Sequence, residues 1–251
     1  MYPLMLNLIA AASRAPSMVP AAAHRTFASD QETCPLVSTS PGGGFVMCGP
    51  AGRSAPGGGP GQFGREEKGS RMSVLETERT ILRPFQEADA EDLYRYARDP
   101  RVGPIAGWKP HESVEESRRI IQTVFASPNV FAVVDRESGH VIGSAGFVSR
   151  PQESGSSSDE IGYALDPAWW GRGLMPEVVE ALVRYGFEEL DLGAIWCSHY
   201  EENRRSRRVI EKCGFRYVFT EQISDEFQAD RPTRFYVMLR PDWERRETAC
   251  G

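Results

Sequence analysis

Metal-binding spacings are missing from this chain. Its five cysteines, Cys34, Cys48, Cys197, Cys213 and Cys250, form no C-x-x-C pair, and its four histidines match no zinc signature. A metal site is therefore not expected. Reduced thiols are the plain expectation, with Cys213 a small core residue near a helix end. Long apolar runs are missing too: no stretch of 18 apolar residues occurs, which argues against a membrane-spanning helix. Positive charge is in short supply, with 29 Lys+Arg against 35 Asp+Glu and a net charge of −6, so general nucleic-acid binding is not expected. No G-x-G-x-x-G follows the first expected strand, which argues against a Rossmann dinucleotide crevice.

What is present divides at Met72. Residues 41–64 hold 14 Gly or Pro among 24, a composition that cannot bury enough apolar surface to offset chain entropy. The first 29 residues carry no acid and are rich in Ala and Ser, a weak likeness to an organelle transit peptide. Residues 1–71 are read as a disordered or low-complexity extension, and Met72, opening MSVLETERTILRPF, as a natural start. One domain over 72–245 and a tail over 246–251 are expected.

Within that domain the periodicities predict a mixed α/β plan. Glu76–Pro84 reads as a first strand, and Gln86-Glu87-Ala88-Asp89 leads into a helix running to about Arg98 and stopped by Asp99-Pro100. Arg101–Lys109 reads as a loop. Ser113 and Glu116 form a capping box for a helix running to about Ala126. Asn129–Asp135 and Val141–Ser149 read as a hairpin, followed by a polar loop over 150–158. Ala194–Tyr200 reads as a strand, and a short helix from Asn203 ends at Gly214 as left-handed cap. Two strands, Phe215–Ile223 and Thr233–Leu239, close the domain around the polar loop Ser224–Arg231.

The central stretch is Asp159–Glu189. Asp159–Leu165 reads as a strand, Gly171-Arg172-Gly173 as a flexible turn, and Met175 onward as a helix with Val178, Val179, Leu182, Val183 and Phe187 on one face. A strand feeding a glycine turn at a helix N-terminus is an anion site, because bare N–H groups and the helix dipole converge there. Pro176 in the first turn lacks only an N–H that has no helical partner.

The segments IGYALDPAWWGRGLMPEVV and NRRSRRVIEKCGF, with LETERTILRPF and WKPHESVEES ahead of them, resemble the GNAT superfamily of N-acetyltransferases, RimJ/RimL-like branch, over roughly Val74–Trp243. The resemblance implies a partly antiparallel sheet that splays after its fourth strand, flanked by helices. It also implies acetyl-CoA as cosubstrate, held in the V-shaped opening. The family's pyrophosphate loop falls on Trp170, Gly171, Arg172, Gly173, Leu174 and Met175. Trp170 and Met175 depart from the general pattern, which is tolerable if backbone amides do the binding. By the same resemblance Asn203 bonds the pantetheine arm, Ser206 lies near the sulfur, and the backbone near Leu165 polarises the thioester carbonyl. Arg172, Arg204, Arg205, Arg207 and Arg208 are candidate phosphate charges. Asn203 as a plain N-cap and Ser206 as a plain first-turn residue are the competing readings.

The implied chemistry is direct attack by a primary amine, from a small molecule or a protein N-terminus. The amine needs a base. Glu160 is the first candidate: strand alternation puts Glu160, Gly162 and Ala164 on one face and Ile161, Tyr163 and Leu165 on the other. His199, Tyr200 and Glu201 are alternatives, and Ser206 is the candidate acid. Trp108, His111, Glu153, Asp225, Glu226 and Tyr236 lie in segments expected to flank the acceptor, and Trp169 and Trp170 either wall the cleft or pack the sheet edge. A catalytically inactive CoA-binding regulator or sensor is the alternative function. A cytoplasmic monomer or homodimer without nucleic-acid or membrane partners is expected.

Overall fold

The computed structural model describes residues 73–149, 158–224 and 230–250. The extension over 1–71, most of the 150–158 loop and most of the Ser224–Arg231 loop lie outside the described residues. The strands are β1 (Leu75–Glu76), β2 (Thr80–Arg83), β3 (Val130–Asp135), β4 (Val141–Ser149), β5 (Ser158–Leu165), β6 (Ala194–Tyr200), β7 (Arg216–Ile223) and β8 (Arg231–Leu239). The helices, numbered in chain order, are α1 (Ala90–Ala97), α2 (Gly103–Ala106), α3 (Val114–Thr123), α4 (Leu174–Glu188), α5 (Arg204–Lys212) and α6 (Arg240–Cys250). All eight strands join one sheet in the order β1-β2-β3-β4-β5-β6-β8-β7. Every pairing is antiparallel except β5 with β6.

Two apolar clusters sit on the two faces of this sheet. On one face, Leu93 and Tyr96 of α1 and Ile120 and Ile121 of α3 pack on Val130, Ala132, Val134 and Val141. On the other, Val178, Val179, Leu182 and Val183 of α4 and Ile210 of α5 pack on Phe131, Val133, Ile142, Ile161 and Ile195. Alternate residues of β3 serve the two clusters, so the strand is buried throughout, as a sheet covered on both sides requires.

Four sequence expectations are corrected. The first strand is a tight hairpin: the Thr80 N–H donates to Thr77 Oγ1 at 2.9 Å, and the Thr77 N–H donates to the Thr80 carbonyl at 2.9 Å. A threonine side chain competing for a backbone amide breaks the extended run, and the turn carries Arg79 outward. The 101–109 loop contains the single helical turn α2, ended by Gly107 at φ 89. The capping box of α3 is only half formed. Ser113 Oγ accepts from the Glu116 N–H at 3.1 Å, but the Glu116 carboxylate accepts from the Glu112 N–H, one residue ahead of the cap. Finally, the segment from 246, read as tail, continues α6 as far as Cys250. This helix has no apolar period to read. It docks through Trp243 stacked on Phe187 at 5.1 Å and through Arg246, whose guanidinium donates to the Cys213 carbonyl at 2.6 Å.

Candidate active site

β5 and β6 pair over only four rows, Ser158 with Ala194 through Ile161 with Cys197. Beyond them Gly162–Leu165 stays on β4, while Ser198–Tyr200 stays on β8. The sheet therefore splits between β5 and β6. The Asp166 N–H donates to the Ile142 carbonyl on β4 at 2.8 Å. Alternation then turns the amides of Leu165 and Tyr163 away from β4, into the split.

At the end of β5, Asp166 Oδ1 accepts from the Ala168 N–H at 2.8 Å and starts a short 3-10 turn over Pro167–Trp169. The chain then passes Gly171 at φ 76 and Gly173 at φ 77. Both values lie in the left-handed region that glycine adopts without strain, and Gly173 is the N-cap of α4. No side chain caps this N-terminus. The side chains of Leu174 and Met175 are buried in the core, so only their backbone amides can serve a ligand, as expected for a loop that binds through its main chain. Trp170 folds back on the strand, its indole N–H donating to the Leu165 carbonyl at 2.8 Å. Arg205 of α5 lies over its ring at 4.3 Å, and Arg101 lies against it at 5.9 Å. The Arg172 guanidinium covers Trp169 at 4.6 Å. Arg207 is paired along α5 with Glu211.

One residue of this loop's support was not singled out in the sequence. Arg79, carried out by the β1–β2 turn, donates from Nη1 to the Arg172 carbonyl at 2.9 Å and from Nε to Glu177 Oε1 at 2.8 Å. It ties the glycine turn to the first turn of α4.

Glu160 and Ser206 lie on opposite faces of the split. Glu160 is buried on the α1/α3 face, and its carboxylate accepts from the Ser198 hydroxyl of β6. Asn203 is the N-cap of α5, its Oδ1 accepting from the Ser206 N–H at 3.1 Å. The structural reading of Asn203 thus accounts for half of its side chain. Ser206 is also buried, with its Oγ 2.8 Å from the Tyr163 hydroxyl. Burial pushes the Tyr163 phenol well above 10, so it keeps its proton. Tyr163 is a functional candidate that sequence reasoning missed. Alternation had placed it opposite Glu160, yet nothing in the sequence pairs it with Ser206, 43 residues away.

The alternative base His199 is placed on the far face from Glu160. Its Nδ1 lies 2.7 Å from the Tyr200 carbonyl and so carries the hydrogen, which leaves Nε2 to accept from the Tyr236 hydroxyl at 3.3 Å. Burial lowers its pKa, and Arg234 and Arg207 lower it further. Glu201 is exposed and ion-paired to Arg234. Of the acceptor candidates, Trp108 and His111 line a cavity of about 170 Å³ that also reaches Glu160, Gly162, Asn203 and Ser206. Tyr236 is buried beneath His199, while Glu153, Asp225 and Glu226 lie outside the described residues. Cys197 and Cys213 are buried and free, and burial pushes the Cys213 thiol up to about 12. Among the described residues there is no cluster suited to a metal ion, and no helix is long and apolar enough to cross a membrane.

A split mixed sheet with an uncapped glycine turn at a helix N-terminus forms a site suited to a phosphate-bearing ligand, and comparison with known proteins gives the class. Residues 79–216 match the acetyltransferase (GNAT) domain family, and the chain belongs to it. Its relatives include ribosomal-protein-alanine acetyltransferases of the RimJ-like kind. The chain is 34% identical over 149 residues to the uncharacterized N-acetyltransferase p20 of Bacillus licheniformis, covering 57% of this chain and 83% of that protein. It is 26% identical over 182 residues to the [ribosomal protein uS5]-alanine N-acetyltransferase of Escherichia coli, covering 67% and 92%. The fold is that of Mycobacterium smegmatis RimJ, solved in complex with CoA-disulfide, with a TM-score of 0.59 at 20% identity over 69% of this chain and 90% of that one. The chain is an N-acetyltransferase of the GNAT family, whose members use acetyl-CoA.

Proposed function

We propose that the chain transfers the acetyl group of acetyl-CoA directly to a primary amine bound with it in one ternary complex. The observation that carries this reading is the split between β5 and β6, with Glu160 on one face and the Ser206–Tyr163 hydroxyl pair on the other. The cosubstrate fits this frame. The amides of Gly171, Arg172, Gly173, Leu174 and Met175 stand at the bare end of α4, where a pyrophosphate gains both hydrogen bonds and the helix dipole. Arg79 holds that turn in place. The NH2 half of Asn203, whose oxygen is committed to the cap, binds the pantetheine arm. The Leu165 and Tyr163 amides, turned into the split, stabilise negative charge building on the thioester carbonyl oxygen.

The residues then divide the proton work. Glu160, held by the Ser198 hydroxyl, takes a proton from the ammonium directly or through one water, which exposes the nitrogen lone pair. The nitrogen forms the C–N bond as the C–S bond breaks and then sheds its second proton to water. Ser206 gives its proton to the departing thiolate and recovers one from water, while the Tyr163 phenol keeps its own proton and holds the Ser206 hydroxyl in place. A thiolate whose conjugate thiol has a pKa of about 8.5 needs only a weak acid. The acceptor is a small-molecule amine or a protein N-terminus. The names of the uS5-alanine acetyltransferase relatives support the second.

Initial velocities of thiol release at varied acetyl-CoA and amine test the reading. Intersecting double-reciprocal lines are expected; parallel lines, indicating a covalent acetyl-enzyme, contradict it. A CoA-binding sensor, the alternative, binds CoA and releases no thiol with any amine.

A further inference from the structure

The end of β5 carries a main-chain group that opposes acyl transfer unless a donor takes it. Pairing with β6 stops at Ile161 and Cys197. The carbonyl of Leu165, a buried residue, therefore points into the split on the same edge as the Leu165 amide. A buried carbonyl needs a hydrogen-bond donor. Left bare beside a thioester, it would also set its negative end against the oxygen on which negative charge builds. Trp170 supplies the donor: its indole N–H reaches back five residues to the Leu165 carbonyl at 2.8 Å. The carbonyl is thereby committed, and the strand end turns an amide rather than an oxygen toward a ligand. The ring that carries this N–H is itself held from several sides. Trp170 packs against both apolar clusters. The Arg205 guanidinium lies 4.3 Å from its ring centre, a cation–π contact, and Arg101 lies at 5.9 Å. Arg205 precedes Ser206 on α5, so the same ring ties the end of β5 to the helix that carries Asn203 and Ser206.

We infer that Trp170 is a positioning residue for acetyl transfer: by holding the Leu165 carbonyl it fixes the strand end with the Leu165 amide turned on the thioester oxygen. This rests on the reading of that amide as a donor to the thioester carbonyl. The role is separate from that of the glycine turn, which serves the pyrophosphate through its main-chain amides. A donor to a developing oxyanion stabilises it most when its direction is set before the reaction, and a neighbour locked by packing and hydrogen bonding sets that direction. In Trp170→Phe a ring remains under Arg205 but the N–H is gone. The Leu165 carbonyl then rotates toward water or another donor, and the amide of the same residue loses its aim.

The test is isotope-edited infrared spectroscopy of the full chain saturated with acetyl-CoA labelled at its carbonyl carbon, with no amine present. The wild type is expected to move the thioester carbonyl stretch to lower frequency than in free acetyl-CoA, because donors to the oxygen weaken the C=O bond. Trp170→Phe should lose the larger part of that displacement, while its affinity for CoA by calorimetry changes less than about threefold. A full displacement in Trp170→Phe overturns the inference and leaves the reading of the Leu165 amide intact. Loss of the displacement together with a loss of CoA affinity of about tenfold or more gives Trp170 a general structural role and overturns it as well. No displacement in the wild type overturns the reading of the Leu165 amide, and the inference with it. If Trp170→Phe does not fold, benzothienylalanine placed at Trp170 keeps the shape of tryptophan and lacks the N–H. The same loss is expected with it, and a full displacement is again the overturning result.

Discussion

Replacing Gly173 by valine tests the glycine turn where its geometry is most demanding. Gly173 sits at φ 77 as the N-cap of α4. A left-handed conformation costs an L-residue about 1–2 kcal/mol, and more when the side chain is β-branched. A Cβ there would lie 3.5 Å from the nearest atom, Arg79 Nη2, which is ordinary contact, so the first penalty is in the backbone. The chain relieves it by rotating Gly173 out of the left-handed region, and that turns the neighbouring amides off the phosphate position. Lost amide hydrogen bonds to a charged ligand are worth about 1–3 kcal/mol, or roughly 5- to 150-fold in Kd. Calorimetric titration with CoA measures this. Thermal unfolding of the same variant should fall by roughly 2–8 °C, the scale for 1–2 kcal/mol in a domain of this size. Gly173→Asn, which tolerates the conformation, should lose much less affinity. A folded Gly173→Val variant with wild-type affinity for CoA would refute the phosphate role of this turn.

Other expectations follow from the same contacts. Arg79→Ala, which unties the Arg172 carbonyl from Glu177, should raise the KM for acetyl-CoA several-fold with less change in kcat; an unchanged KM removes the bracing role. Tyr163→Phe should slow turnover less than Ser206→Ala, and the double variant should be no worse than Ser206→Ala if Tyr163 acts only through Ser206. His111 and His199 are both held neutral in the folded chain, with pKa values below the ordinary 6.5. The unfolded chain therefore binds more protons once the pH falls through about 6.5, so stability rises with pH across that window and is lost on acidification. Urea unfolding of His111→Asn should show a flatter dependence between about pH 5 and 7. Cys197 and Cys213 should resist alkylation in the folded protein at pH 8 and react on unfolding, as peptide mapping can follow.

Much of this arrangement is legible in the sequence because it is local. The β5-turn-α4 unit shows as a period change across Gly171 and Gly173, and the end of α5 shows at Gly214, which has φ 80. The face of Glu160 follows from strand alternation. What is not legible depends on the fold bringing distant residues together. Arg79 is one cation among 29 until the Thr77–Thr80 turn aims it at α4. Tyr163 becomes a partner of Ser206 only because α5 packs over the split. The α6 helix lacks an apolar stripe, so Trp243 alone could not announce it. Trp170, read as either wall or packing, packs: its ring lies under Arg205 and its N–H closes the end of β5.

The division of proton work across the split is the central claim, and the pH dependence of kcat/KM for Glu160→Gln tests it most directly. Glutamine preserves the contact with Ser198 and removes the base. At neutral pH the variant should lose about 10²- to 10⁴-fold in rate. Its deficit should shrink as the pH approaches the pKa of the acceptor amine, about 8 for a protein N-terminus and about 10.4 for an alkyl amine, where the acceptor loses its own proton. A variant whose profile and rate coincide with those of the wild type would contradict the account.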